Sequence, residues 1–574
     1  MRIQNITVCE CEYPSLYFRG GELSDGRVFL RDKEVLSFDT YFNSFSYTKY
    51  RDYTTLTAVE FKGEMSGCAT VSLRVYDGSC ERIVAESFAE GEFALRADFS
   101  ALPERAILYP VIVAVGDACF MRGEYTADAV SADISCAIAF CTFKREEYLR
   151  RNVRTLSEAK LPFIDKIIVV DNGNTISADE LPELAEVFPN PNFGGSAGFT
   201  RGIIEAKKRG FTHLILMDDD IDIYPEAIER MTVFASVLRS EYSNAHFSAA
   251  MLKASKIYIQ HEKGALWNGS HIESLNTELD VRDRDSLIAN LDDGPIGYGA
   301  WWCFCLPLAD MDEFGLPLPL FIKFDDVEYG TRCCNNAPII TMSGMAVSHA
   351  DFEGKYNMHL EYYTIRNQLI MLAAHSMQNR FGCVLRLMKV SAKHLFLYRY
   401  DSLPILLRAF EDFLRGADFI INENAEELNR SVMSMTPAAV PLSSIPEWND
   451  EIRASFKKTK PSKLNRAMRL LLLGGHVIPN FLMKKDTVFL PLPEAQNCDC
   501  FMHKSTVQYQ LASDNGYVFN KNSARFLVCF FKCVGMMFKI LFGYGKAARS
   551  FRESKDYLTG YEFWNKYLGL SDGK

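Results

Sequence analysis

The run Phe211-Thr-His-Leu-Ile-Leu-Met-Asp-Asp-Asp220 decides how this chain reads. A mostly apolar stretch leads straight into three adjacent carboxylates. Such a run predicts a buried strand whose end carries concentrated negative charge. Carboxylates packed this closely repel one another unless a cation sits among them. A hard divalent metal is the natural partner, and a metal at a strand tip points to phosphate chemistry.

The flanking sequence fits that strand into a sheet. Ile134-Ser-Cys-Ala-Ile-Ala-Phe-Cys-Thr142 and Lys166-Ile-Ile-Val-Val-Asp171 are two more apolar runs. Polar, helix-like segments at Lys144 to Ala159 and Gly198 to Arg209 separate them. Alternating strands and helices predict a parallel sheet covered on both faces, over residues 131–375. Residues 1–130 read differently. Val71, Leu73 and Val75 alternate with Ser72, Arg74 and Tyr76, and Gly20-Gly21, Asp25-Gly26, Asp77-Gly78 and Glu90-Gly91 sit at turn-like positions. Short strands with frequent turns predict a β-sandwich. The aromatic stretch Tyr41, Phe42, Phe45, Tyr47, Tyr50 and Tyr53 could stack on sugars, but core packing explains it more simply. Residues 376–574 read as mostly helical, with a proline-rich loop or linker at Thr436 to Pro446. The expected fold class is therefore multidomain α/β: a β-sandwich, a central Rossmann-like domain and a helical C-terminal region.

The bulk numbers narrow the function. With 574 residues, the chain exceeds a single core. Its formal net charge of -10 argues against a nucleic-acid partner. The start, Met1-Arg-Ile-Gln-Asn-Ile-Thr-Val, has no signal-peptide pattern, and the 16 cysteines are scattered, which fits a reducing cytoplasm. Cys9/Cys11 and Cys498/Cys500 have C-x-C spacing, unlike a zinc ribbon. The nearest approach to a membrane span, Phe526 to Phe542, is interrupted by Lys532 and Lys539, so no span is expected. Arg525, Lys532, Lys539 and Lys546 recur every seven residues and make one stripe on a helix. That stripe fits a helix lying on a membrane surface, or a core helix whose lysines snorkel to water.

Ligands of an open α/β sheet bind beyond the carboxyl ends of its strands. Three such ends carry Cys141-Thr-Phe-Lys-Arg145, Asp171-Asn-Gly-Asn-Thr175 and Asp218-Asp219-Asp220. Arg145 could meet a phosphate, and Asp171 could accept from a nucleobase or ribose. The glycine-rich run Pro191-Asn-Phe-Gly-Gly-Ser-Ala-Gly-Phe-Thr-Arg-Gly202 lets backbone approach a ligand ahead of a helix, though it is neither a Walker loop nor a dinucleotide fingerprint. Trp301 and Trp302 stand side by side in a chain with five tryptophans. An exposed Trp edge would suit a sugar ring, and a buried pair would be core. Asp325 and Asp326, after another apolar run, could supply a general base or begin a helix. His349 follows the short segment Met345-Ala-Val-Ser and becomes a plausible metal partner beside the carboxylates.

The order of these parts resembles a family-2 glycosyltransferase of GT-A fold. The carrying motifs are Thr-Phe-x-Arg, Val-Val-Asp-Asn, Asn-x-Gly-Gly-Ser-x-Gly-Phe, Met-Asp-Asp-Asp, Trp-Trp, Phe-Ile-Lys-Phe-Asp-Asp-x-Glu-Tyr-Gly and a following His. More narrowly it is similar to the polymerising galactofuranosyltransferases that build cell-wall galactan. The resemblance implies that Asp218 and Asp220, with His349, frame Mn²⁺ or Mg²⁺ on the phosphates of a UDP-sugar donor. It implies that Arg145, Asp171, Asn172, Asn192 and Asp219 hold the nucleotide-sugar. Trp301, Trp302 and Asp325 would border a polysaccharide or lipid-linked oligosaccharide acceptor, and Asp326 would be the catalytic base of an inverting transfer. Tyr363, Arg366 and Asn367 also match a family-like run. Around Gln260-His-Glu-Lys-Gly-Ala-Leu-Trp267 the acceptor side does not align. Other donors of the same fold, such as dTDP-rhamnose or UDP-glucose, and a non-catalytic carbohydrate-binding role are the competing readings. A cytoplasmic location, at the inner face of the membrane, and a homo-oligomer complete the expectations.

Overall fold

The computed structural model describes residues 1–334, 337–351, 357–455, 462–492, 495, 497–511 and 513–570. The chain divides into two compact units, one of residues 1–317 with 326–350, the other of residues 318–325 with 351–574.

In the first unit, residues 1–130 form a seven-stranded antiparallel sheet. Three strands are far longer than the turn signals suggest: Ala58–Tyr76, Glu81–Asp98 and Ile107–Thr126. Gly91, read as a turn position, lies within one of these strands at positive φ, as do Gly67 and Gly116 in the other two, and register shifts at Glu64/Cys68 and Ser66/Cys68 absorb the bends. The aromatic stretch is core: Tyr41, Phe42, Phe45, Tyr47 and Tyr50 are all buried.

The central sheet follows in the order Ala185–Pro189, Ile164–Asp171, Cys136–Thr142, His213–Asp218, Cys303–Pro307, His246–Ser248, Ile339–Ile340. The first four strands are parallel, joined by crossovers of which two contain a helix. Cys303–Pro307 runs antiparallel to both neighbours, so the sheet is mixed and not wholly parallel. Helices Glu146–Ala159 and Gly194–Lys208 connect the parallel strands. A second, five-stranded sheet runs Ile221–Ile223, Ala346–His349, Ala250–Lys253, Lys256–Glu262, Leu279–Asp280.

The division expected at residue 131 runs through one shared core. Phe42 packs on Tyr224 at 4.8 Å between ring centroids, and Tyr50 on Phe234 at 4.6 Å. Buried Arg230 donates to the carbonyls of Phe42 and Ser343, each at 2.7 Å. Lys49 of the helix Tyr47–Tyr53 pairs with Asp293, which also takes Lys263 at 3.2 Å and the Thr341 hydroxyl at 2.6 Å. Burial pulls the Lys263 ammonium down to about 8, while Lys263 and Lys49 hold the Asp293 carboxyl low against its own burial.

The second unit is helical, as expected, around Leu360–Ala374, Arg380–Phe396, Leu403–Leu414 and the long helix Ser523–Leu558. It also holds a four-stranded sheet that the helical reading misses, in the order Val440–Pro441, Asn515–Asn520, His503–Tyr509, Lys484–Pro491. Buried Arg399 ties helices to sheet by donating to Gln508 at 2.6 Å and to the Leu492 carbonyl at 2.9 Å. The long helix is long and apolar enough, by length and composition, to cross a membrane, where the sequence reading expects no span.

Candidate active site

Strand pairing brings the three motif ends into register. Cys141 lies opposite Asp218, and Thr142 opposite Asp171. Beyond Asp218 the chain turns and re-enters the second sheet, where Ile221 pairs with His349. This pairing carries an imidazole from 129 residues downstream to the carboxylates. One ligand atom each from Asp218, Asp220 and His349 lies within 4.8 Å of the others. The Nδ1 of His349 lies 2.7 Å from the carbonyl of Ala350, and Nε2 lies 3.6 Å from an Asp220 oxygen. A carbonyl only accepts, so Nδ1 carries a proton, and Nε2 is the ring nitrogen turned to the carboxylates. Two hard oxygen donors and one neutral imidazole nitrogen suit a divalent cation, with further positions open to phosphate oxygens.

Asp219 is placed apart from that triad. Its carboxylate takes the Thr142 hydroxyl at 2.7 Å and the Arg145 guanidinium at 2.9 Å. Burial raises the Asp219 pKa, and these two donors oppose the rise. Arg145 bridges on to Asp220, also at 2.9 Å. Asn152 donates to the carbonyls of Asp219 and Ile221, which fixes the turn. Arg145, read as a phosphate contact, thus stands among the carboxylates.

The nucleotide-side residues knit loops together. Both Asp171 oxygens accept backbone N–H groups, Gly173 at 2.8 Å on one and Thr175 and Ile176 at 2.6 and 2.8 Å on the other. Asn172 donates to the Gly194 carbonyl and accepts from Asn190. Asn192 is half-buried in the loop that follows. Glycines of the glycine-rich run serve packing where ligand approach is the sequence expectation. A Cβ at Gly198 would stand 2.1 Å from Cys141 Sγ, and one at Gly202 2.8 Å from Ala139 Cβ. Their absence lets the helix Gly194–Lys208 lie on the central strand.

The tryptophans are buried, so neither presents an exposed edge. Trp302 is locked by its indole N–H donating to Ala249 at 2.9 Å. Trp301 meets Phe199 and Tyr329 edge-on, at 5.4 and 5.9 Å. Large planar side chains between apolar elements bury readily, which is the simpler of the two readings. Asp325 and Asp326 begin the helix Asp325–Cys333, and Asp326 accepts the Val327 N–H at 2.8 Å. Asp325 is buried and Asp326 half-buried. The remainder of the motif is structural. Glu328 pairs with Arg332 at 3.0 Å, and a Cβ on Gly330 would stand 2.2 Å from Tyr298 Cβ. In the second unit, the segment ahead of Asp325 holds Phe321, Lys323 and Phe324 at positive φ. The Asn367 amide satisfies the carbonyls of Leu320, Ile322 and Lys323, and Arg366 also reaches Leu320. That accounts for the Arg-Asn pair without a ligand.

Sequence reasoning misses Glu262. This carboxyl is buried on the strand Lys256–Glu262, takes a hydrogen bond from Ser274, and is pushed up to about 7, first by burial and then by the charge of Asp326. Tyr298 feels the same two carboxylates. Glu262 pairs with Met251, which pairs with Val347, two residues before His349 on one strand. Directly paired side chains share a face, so Glu262 projects from the same face as His349, two strand spacings across and two residues along, or about 12 Å away. The signal available in the sequence is His261-Glu262-Lys263, three polar residues at a strand end, with no spacing that ties them to Asp326.

Residues 137–240 match the family model described as Glycosyl transferase family 2. The chain is 26% identical over 456 residues to galactofuranosyltransferase GlfT2 of Mycolicibacterium smegmatis, covering 72% of this chain and 70% of that protein. It is 27% identical over 454 residues to the GlfT2 of Mycobacterium tuberculosis, with the same coverage. Among solved structures, a mannosyltransferase from Pyrobaculum calidifontis in complex with GDP-Man and Mn²⁺ is 10% identical, covers 54% of this chain and 83% of its own, and superposes with a TM-score of 0.30, too loose a likeness to bear on function.

Proposed function

We propose that this chain, a glycosyltransferase with a family 2 domain over residues 137–240, moves galactofuranose from UDP-galactofuranose to a growing surface polysaccharide or glycolipid, with inversion. The observation that carries the proposal is the convergence of Asp218, Asp220 and His349 on one point. A divalent cation held there, Mn²⁺ or Mg²⁺, would neutralise charge developing on the leaving diphosphate. Arg145, now on Asp219 and Asp220, is within reach of the same charge. The Asp326 carboxylate takes the proton of the acceptor hydroxyl as that oxygen attacks the anomeric carbon and the bond to the diphosphate breaks. Glu262, near neutrality in its pKa, lies close enough to orient a second acceptor hydroxyl. The donor identity leans on the galactofuranosyltransferases, whose similarity extends well beyond the family 2 segment.

The test is a donor screen with a short galactan acceptor. UDP-galactofuranose should give extended products in Mn²⁺ or Mg²⁺ and none in EDTA. Turnover with dTDP-rhamnose or UDP-glucose in its place would overturn the donor, and full turnover in EDTA would remove the cation.

A further inference from the structure

The segment that leads into the helix Asp325–Cys333 is held in a conformation that its side chains do not favour. Phe321, Lys323 and Phe324 stand at φ of 71°, 69° and 68°, in the left-handed region, and none of them is glycine. Bulky residues keep that backbone only where their surroundings enforce it. The N–H of Ile322 turns back to the Leu320 carbonyl at 3.0 Å, and that of Leu320 to the Leu318 carbonyl at 2.8 Å. Leu318, Leu320 and Phe324 are buried, so this strap is packed and not left to water.

The helix Leu360–Ala374, in the same unit, enforces it. Asn367 is fully buried there. Its Oδ1 accepts from Arg366 Nε at 2.9 Å, which fixes the amide with Nδ2 toward the strap. Two N–H groups then serve three carbonyls, those of Leu320 and Ile322 at 2.9 Å and that of Lys323 at 2.8 Å. Arg366 adds its own bond to Leu320 at 2.9 Å. One helical turn back, Tyr363 stacks on Phe321 with 5.0 Å between centroids and 19° between planes. An alanine at 367 would take the shared donor from all three carbonyls and free the strap to relax toward ordinary backbone angles.

The body of the helix Asp325–Cys333 is anchored independently. Arg332 donates to the Leu316 carbonyl at 3.0 Å, and Gly330 packs against Tyr298. Loss of the brace therefore leaves the helix in place and frees its first turn, where Asp325 and Asp326 stand. We infer that Asn367 is a positioning residue for sugar transfer: through the strap it sets where the Asp326 carboxylate meets the acceptor hydroxyl. The inference rests on Asp326 as the base, and Asn367 acts through that residue without contacting substrate. A displacement of about 1 Å at a reacting group costs about 10² in rate, so a strap that slackens is read in turnover before it is read in donor binding.

The test is transfer kinetics of the full chain, with kcat and donor KM read separately. Asn367→Ala should lower kcat about 10²-fold and leave donor KM and UDP affinity within about twofold. In an Asp326→Asn background the same change should cost nothing further, because a residue that acts through the base then has nothing left to place. A pair of variants at exposed Lys323 reports on the strap without disturbing the core. Lys323→Gly and Lys323→Val both remove the ammonium, but glycine keeps the left-handed backbone and a β-branched valine opposes it. The valine variant should turn over roughly tenfold more slowly than the glycine one at equal donor KM. Should Asn367→Ala fail to fold, the Lys323 pair decides alone. Equal kcat in that pair, wild-type kcat in Asn367→Ala, or a full additional loss in the double variant overturns the inference and leaves the base standing. Wild-type turnover by Asp326→Asn removes the base, and the inference falls with it.

Discussion

Replacing Glu262 by Gln should stabilise the protein by about 3 kcal/mol at pH 8 and by only about 1 kcal/mol at pH 5. The unfolded carboxyl titrates near 4.5, and the folded one near 7. Below 4.5 both states hold the proton, so glutamine, of the same size and neutral, replaces a neutral group. As pH rises from 4.5 to 7 the unfolded chain releases its proton while the folded one retains it. Folding therefore weakens across that window and levels off above it. At 1.36 kcal/mol per pH unit the gap amounts to about 3 kcal/mol. The variant never develops the charge, so it gains about that much at pH 8. In a unit of this size that is a rise in Tm of roughly 5 °C. The assay is thermal or urea unfolding of both proteins at the two pH values. An equal Tm difference at pH 5 and pH 8 would refute the buried, charge-opposed environment drawn for Glu262. A lower Tm for the variant at pH 8 would mean that the charged form is stabilised by a partner.

Asp326→Asn should lower transfer by about 10² to 10⁴ while UDP still binds, and normal turnover would reassign the base. Gly198→Ala places a methyl against Cys141 Sγ and should cost about 1–3 kcal/mol in unfolding experiments, with partial recovery when Cys141→Ala is added. Asp293→Asn leaves Lys263 buried without its countercharge and should destabilise by about 3–5 kcal/mol, whereas an exposed pair would be worth under about 1 kcal/mol.

The polar cluster of the central sheet was legible because it sits at strand ends. An apolar run that stops at Asp218 can only put its carboxylate at the sheet's edge, and Thr142 and Asp171 follow by the same logic. His349 was legible only in company, since its placement depends on pairing with Ile221. Glu262 and its relation to Asp326 were not legible. They rest on two bulged strands and a buried dielectric, neither of which leaves a spacing in the sequence. For the tryptophans, residue type tells what a side chain can stack on, and burial decides whether it does. The long strands of residues 58–126 were read as short ones because a glycine within a bent strand looks the same as a glycine in a turn.

The aromatic and ionic joints around Arg230, Tyr50 and Lys49 bear on modularity. A fragment begun at residue 131 would lay bare Tyr224 and Phe234 and strand an arginine among carbonyls it no longer shares. The sugar-transfer sheet and the β-rich segment ahead of it must therefore be inherited, expressed and exchanged between relatives as a single piece.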